Sequence, residues 1–238
     1  MKILTAEEMG ATDRRTVEES GISLETLMEG AGRAVAEFCL RQYGGASQVI
    51  VLCGRGNNSG DGLVAARVLA QAGLQLRVLL LGRIDEVKGE AAAALRRLRC
   101  GASSVVVDEV VNETSLQALR PVLAEAGLLL DAVVGTGFKP PLRGLAVSLR
   151  NMVEELDAPV VAVDLPSGWD ANSMEQTAAG SFRADAVVTF TAPKVAHVFG
   201  HLTRNERTGG TFGPVVVAGI GSPESAVIST SGLSWTGI

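Results

Sequence analysis

The sequence predicts an α/β protein, a three-layer αβα, Rossmann-like domain whose doubly wound, mainly parallel sheet carries extra helices at its N-terminus. Apolar runs of strand length recur at "SQVIVLCG", "LQLRVLLLG", "SSVVVDEV", "LLLDAVVG", "APVVAVDLPSG", "ADAVVTF" and "GPVVVAGIG". They are rich in valine, mostly closed by glycine or aspartate, and lack polar alternation, which is the pattern of strands buried on both faces. Segments of helical spacing lie between most of them, and such βα alternation marks a parallel sheet.

Residues 1–45 precede the first run and hold two helices, "TAEEMGATDRRTVEES" and "SLETLMEGAGRAVAEFCLRQYG", the second opened by Ser23 as N-cap and closed near Gly44. After the first strand, "DGLVAARVLAQAG" places Leu63, Ala66, Arg67 and Ala70 at i, i+3, i+4 and i+7, with Gly73 ending the element. No internal repeat or low-complexity linker marks a boundary, so residues 1–238 are expected to form a single domain. Residues 222–238 lose the strand pattern and read as a tail or the stump of a linker.

Composition narrows the function. The 238 residues are 47% hydrophobic and 4% aromatic, so valine, leucine and alanine must fill the core. A formal charge of -5 without clustered lysines and arginines argues against a nucleic-acid surface. Cys39, Cys53 and Cys100 are odd in number and lack metal-type spacing, which suits reduced thiols. The N-terminus lacks an apolar signal core and no run reaches about 18 apolar residues. A cytoplasmic protein without membrane contact is expected.

In a doubly wound sheet, ligands bind beyond the carboxyl ends of the strands. "VIVLCGRGNNSGDGLVAARVL" reads strand, glycine-rich turn, helix, an arrangement that offers backbone N–H groups and a helix N-terminus to a phosphate. It is not the common dinucleotide fingerprint: Gly54, Gly56 and Gly60 are spaced one residue too long, and Gly82 and Arg83 stand where a ribose-binding acid would. It also lacks the Gly-Lys-Ser/Thr ending of a P-loop.

Three further strand ends carry polar residues. "LLLDAVVGTGFKPPLRG" gives Asp131 and a second backbone-rich loop with Lys139. "VVAVDLPSGWD" ends in Asp164, Pro166 and Ser167, and an acid at a buried strand end demands a cation, a donor or a substrate, because burying it unpaired costs several kcal/mol. "TFTAPKVAHVFGH" adds Thr191, Pro193 and Lys194 at the edge of the same cleft, while Gly200 and the want of a third ligand argue against zinc on His197 and His201.

"GRGNNSGDGLVAARVL", "DAVVGTGF", "VAVDLPSGWD" and "TAPK" together resemble the NAD(P)H-hydrate epimerases, the YjeF N-terminal domain family. The resemblance implies interconversion of the R and S epimers of hydrated NADH and NADPH, upstream of an ADP- or ATP-dependent dehydratase. It implies a homodimer, and a potassium ion held by Asn58, Asp131 and Ser167. It places the substrate on Asn57, Asn58, Ser59, Gly60 and Asp61, on Gly135, Thr136, Gly137, Phe138, Lys139, Pro140 and Pro141, and on Asp164. Asp164 and Lys139 are the expected catalytic pair. Ser59 departs from the usual glycine and would be strained at positive φ but harmless at negative φ. Two other readings predict different residues: a nucleotide- or RNA-binding scaffold of the same fold predicts eroded motifs, and an NAD-dependent dehydrogenase predicts the missing ribose acid.

Overall fold

The structure is a computed structural model that describes residues 1–174, 180–201 and 213–234, with only the backbone of residues 200 and 201. Helix α1 (Ala6–Ser20) starts from a reciprocal cap: Thr5 Oγ1 accepts from the Glu8 N–H at 3.1 Å and the Glu8 carboxylate accepts from the Thr5 N–H at 2.8 Å. Such a cap contributes about 1 kcal/mol. Helix α2 (Leu24–Tyr43) opens where the Ser23 hydroxyl accepts from the Thr26 N–H. Both helices lie where the sequence places them.

The βα alternation follows: β1 (Val49–Cys53), α3 (Asn57–Gln71), β2 (Leu76–Leu81), α4 (Gly89–Gly101) and β3 (Val106–Val110). The short helices α5 (Glu113–Ala118) and α6 (Arg120–Ala124) lead to β4 (Leu128–Ala132), and α7 (Leu145–Glu154) to β5 (Val160–Val163). β6 (Ala186–Phe190), α8 (Val195–His201) and β7 (Val215–Ala218) complete the order. The seven strands pair in parallel as β3-β2-β1-β4-β5-β6-β7.

Alternation of side chains across a strand builds two cores from one sheet. On β1, Val49, Val51 and Cys53 join α2, α3 and α4 on one face, while Ile50 and Leu52 join α5, α6 and α7 on the other. Burying one such side chain stabilises the fold by about 1.5–3 kcal/mol, so five consecutive buried residues fix β1 as an interior strand of the sheet. The expectation that every run is buried on both faces fails for β3 and β7. They are the edge strands, with Val106 49% exposed and all four residues of β7 only partly covered.

Beyond β7 the described residues form no strand, as expected, yet they are held against α1. Glu8 Oε1 accepts from the Thr230 N–H, the Thr230 hydroxyl and the Ser231 N–H, and the Ile3 N–H donates to Leu233 O. The N-terminus also sits beside the end of β6, where the Leu4 N–H donates to Pro193 O and Leu4 O accepts from the Val195 N–H.

Candidate active site

β1 has β2 on one side and β4 on the other, so the winding reverses between β1 and β4 and opens a crevice at their carboxyl ends. A cleft of about 1270 Å³ lies there, larger than the usual small-molecule pocket of about 300–1000 Å³ and wide enough for a dinucleotide. Helix α3 points its N-terminus into it from Gly56, and its first turn carries Asn57 and Asn58. Unpaired N–H groups and the helix dipole make this an anion site.

Ser59 is the third residue of α3 and so takes a negative φ, and its hydroxyl donates to Ala132 O at 2.9 Å. The departure from glycine is therefore unstrained and ties the loop after β1 to the end of β4. The neighbouring loop comes close because Gly135 has no side chain: a Cβ there would lie 2.6 Å from Asn58 Oδ1.

β5 and β6 end in matching turns. Asp164 has φ 67 and Thr191 φ 65, and in each case the following N–H donates to the preceding carbonyl, Leu165 to Val163 O and Ala192 to Phe190 O. These are γ-turns with positive central φ, strained by about 1–3 kcal/mol each, and Thr191 is β-branched besides. The Asp164 and Thr191 N–H groups donate across to Val188 O and Ala218 O, which hold the turns in place. Strain retained at two adjacent strand ends marks the place where side-chain direction matters.

Asp164 is the hub. Its Oδ1 accepts from Lys194 Nζ at 2.7 Å and from the Thr189 hydroxyl at 2.9 Å; its Oδ2 accepts from the Thr136 N–H at 3.0 Å and from the Thr136 hydroxyl. Lys194 is 1% exposed and also donates to Thr189 Oγ1 and Phe190 O. Burial alone would raise the Asp164 carboxyl, but the charge and hydrogen bond of Lys194, with Thr136, outweigh it and hold the group well below the usual carboxylate range. His197 Nδ1 accepts from the Lys194 N–H, which leaves Nε2 to carry the proton and donate to Asp164 O. His197 therefore serves to position the turn; the side chain of His201 lies outside the described residues. Among the described residues, no group of three His, Cys, Asp or Glu side chains could hold a metal ion.

Two more carboxylates line the cleft, Asp13 from α1 and Asp61 from α3. Burial, with Asp164 close by, pushes Asp13 up to about 6 against the pull of Lys194. Burial, Asp164 and Asp13 together push Asp61 well above the carboxylate range. α2 crosses α3 tightly enough to fix Asp61, since a Cβ on Gly32 would lie 2.6 Å from Asp61 O.

Of the residues expected in the site, Asn57, Asn58, Asp61, Gly135, Thr136, Gly137, Phe138 and Asp164 line this one cleft. Ser59 and Gly60 are buried behind it, Gly60 against Met28. Lys139, Pro140 and Pro141 lie outside its lining; the Lys139 ammonium is exposed and faces Glu7 at 3.7 Å and Asp170 at 3.9 Å. The cation beside Asp164 is Lys194, which the sequence places only at the cleft edge. Asp13 was not legible as a site residue; its signal is the spacing of Ala6, Met9, Gly10 and Asp13, which puts them on one helix face that lines the cleft.

Asp131 is fully buried in β4, and its oxygens accept from the Ser167 N–H at 2.7 Å and the Ser167 hydroxyl at 2.6 Å. Ser167 Oγ in turn accepts from the Val134 N–H, one residue before the glycine that faces Asn58. Asn58 Nδ2 is buried without a hydrogen-bond partner, and burial pushes Asp131 up to about 6.

This fold and cleft define a doubly wound α/β protein with an open cleft at its switch point and a buried lysine–aspartate pair beside it. Residues 24–196 match the model of the YjeF-related protein N-terminus family, and the chain belongs to that family. It is 35% identical over 230 residues to the bifunctional NAD(P)H-hydrate repair enzyme Nnr of Moorella thermoacetica, covering 95% of this chain but 42% of that one. It is 32% identical to the NAD(P)H-hydrate epimerase of Limosilactobacillus fermentum, covering 82% of this chain and 88% of that one. The crystal structure of yeast ynu0 superposes with a TM-score of 0.71 at 28% identity, over 83% of this chain and 84% of that one. The chain spans about two fifths of the length of the bifunctional relatives it matches.

Proposed function

We propose that the chain is an isomerase that interconverts the R and S epimers of hydrated NADH and NADPH. The observation that carries this reading is the Asp164–Lys194 pair, held ionised at the edge of a dinucleotide-sized cleft that faces a helix N-terminus. The carbon to be inverted bears a hydroxyl and is bonded to the ring nitrogen, so its C–H is not acidic. Inversion instead proceeds by loss of the hydroxyl. The C–O bond breaks with its electron pair leaving on oxygen, one proton converts that oxygen to water, and the nitrogen lone pair closes a planar iminium ion. Water then adds to the opposite face and gives up one proton, so the reaction balances without oxidant or reductant.

The residues supply what these steps need. The N–H groups at the start of α3 hold the pyrophosphate. Asp164 stays an anion at neutral pH, so it acts as a fixed counter-charge to the iminium ion rather than as a proton donor. Thr136, Thr189 and Lys194 fix its direction. Lys194 keeps the resting site from carrying an unpaired buried charge.

Asn58, Asp131 and Ser167 fit the expected potassium ion: a buried carboxylate, a serine hydroxyl and the Asn58 amide oxygen, which lies towards Gly135, stand around the loop 133–135. Such hard oxygens suit a hard cation. Bound there, the ion would neutralise Asp131 and tie the loops after β1, β4 and β5 together. A homodimer, a cytoplasmic location and coupling to a dehydratase belong to the same reading. Support for the last is that relatives carry the name of a bifunctional repair enzyme. Among the described residues, no helix is long and apolar enough to cross a membrane.

The non-catalytic scaffold predicts an eroded site, and no observation favours it here. The test is incubation with heat-hydrated NADPH while following the R to S ratio. Equilibration faster than in buffer is expected; an unchanged rate refutes the epimerase reading.

A further inference from the structure

Inversion of this carbon requires one proton to be given and one to be taken, and the atoms of the Asp164–Lys194 pair are already engaged with each other and with Thr136, Thr189 and Phe190 O. Two other carboxylates reach the same cleft. Asp13 stands on the α1 face made by Ala6, Met9 and Gly10, where it is the sole charged side chain, and Asp61 stands on α3 three residues after Asn58. Among the described residues, no hydrogen bond or ion pair ties either side chain to a neighbour, which leaves both free for a ligand. α1 is fixed for this task by the Glu8 clamp on Thr230 and Ser231, and α3 by its close crossing with α2.

We propose that Asp13 and Asp61 are the proton-transfer pair of the epimerisation, Asp61 as the acid that protonates the departing hydroxyl and Asp13 as the base that takes a proton from the incoming water. Both act in the cleft assigned above, so the inference rests on the epimerase reading. In this step Asp61 loses its proton to the leaving oxygen as the C–O bond breaks, and Asp13 gains one as the new C–O bond forms. Exchange with solvent then resets the pair, Asp61 taking one proton from water and Asp13 releasing one to it, so each turnover is proton-neutral. The environments support this division of labour. Asp13 is faced by Arg14 on its own helix, Asp61 on α3, Asp164 after β5 and Lys194 after β6, and it ionises near 6; burial, Asp164 and Asp13 raise Asp61 well above its ordinary value, the direction a proton donor requires.

The test compares wild type, Asp13→Asn and Asp61→Asn in the hydrated-NADPH assay across pH 5–9, with NADP⁺ affinity and thermal unfolding of each variant. Each variant is expected to lose at least about 100-fold in kcat/KM, and Asp13→Asn to bind NADP⁺ within about threefold of wild type. The wild-type rate should rise through pH 6 as Asp13 ionises, and the residual rate of Asp13→Asn should lack that limb. Substitutions of a folded Asp13→Asn protein that keep the rate, or keep the acidic limb, overturn the proposal. So does a loss of NADP⁺ binding in step with activity, which would make Asp13 a binding residue. An inactive wild type would instead refute the epimerase reading itself, and the two failures are thus distinct.

Discussion

Lys194→Met removes the cation from a carboxylate that is 7% exposed and keeps the rest of the site in place. At the 2.7 Å separation and an effective dielectric of about 20, the pair attracts with roughly 6 kcal/mol. Removing Lys194 also removes its own desolvation penalty, so the expected loss of stability is about 3–5 kcal/mol at pH 8. The pH dependence is more telling than the magnitude. In the wild type, the folded Asp164 carboxyl lies below its ordinary value of 3.8, so its contribution is complete above that pH and is lost as the pH falls through the folded value. In the variant, burial is opposed only by the remaining donors such as Thr136, so the folded value is expected to rise above 3.8 and the contribution to become increasingly unfavourable as pH rises. The gap between the two proteins should therefore be widest at pH 8 and narrow towards pH 4.5. Urea unfolding followed by circular dichroism at several pH values measures it. Asp164→Asn added to Lys194→Met should recover part of the loss at pH 8. A gap that is constant with pH, or one that widens towards acid, would refute the assignment of an ionised buried pair.

Four further outcomes follow from the geometry. Gly135→Ala forces a Cβ to within 2.6 Å of Asn58 Oδ1, so NADP⁺ affinity by calorimetry should fall at least tenfold, with about 1–3 kcal/mol of destabilisation. Ser59→Gly removes the bond to Ala132 O and weakens the helix, so stability in urea should drop by about 1–2 kcal/mol while the epimerisation rate stays within twofold. Lys139→Ala loses only weak exposed contacts to Glu7 and Asp170, of about 0–1 kcal/mol, and kcat/KM should change less than threefold; a loss of 100-fold would return Lys139 to the catalytic pair. Glu8→Ala breaks both the α1 cap and the clamp on residues 230–231, costing about 1–3 kcal/mol at pH 7 by thermal unfolding. Neighbouring N–H and hydroxyl donors outweigh burial and hold Glu8 at about 2, so that effect should fade from about pH 4.5 downwards.

Much of the fold and part of the site can be read from the residues alone, for reasons of range. Ser23 caps α2 through a bond three residues long, and β1 declares itself by an unbroken apolar run; both are local. Placing the site at strand ends needs only the parallel topology. The exposure of β3 and β7 is not legible because the sequence does not say which strands are outermost, and an edge strand of valines reads like a central one. Lys194 was underrated because its importance lies in a contact with Asp164, 30 residues earlier, made across two adjacent strand ends. Lys139 attracts attention by sitting in a glycine-rich loop, but the direction of a loop side chain is set by tertiary contacts, here Glu7 and Asp170. Ser59 shows the converse: the helix begins at Asn57, earlier than the glycines suggest, and so gives Ser59 the negative φ at which serine is harmless.

The charge balance of the cleft also limits the chemistry it can favour. Around Asp164 the cleft gathers the carboxyl groups of Asp13 and Asp61 and the ammonium of Lys194, three acidic side chains against one basic. A reaction that develops an oxyanion there would meet net repulsion, and none of these groups forms a pair of donors aimed at such an oxygen. A reaction that develops a cation next to Asp164 meets a preorganised anion at no cost of reorientation, since Thr136, Thr189 and Lys194 already fix it. The positive end of α3 opens into the same cleft at Asn57, where it can hold phosphate. A phosphate-binding helix end and a cation-stabilising carboxylate in one cleft suit a phosphorylated substrate that passes through an iminium ion.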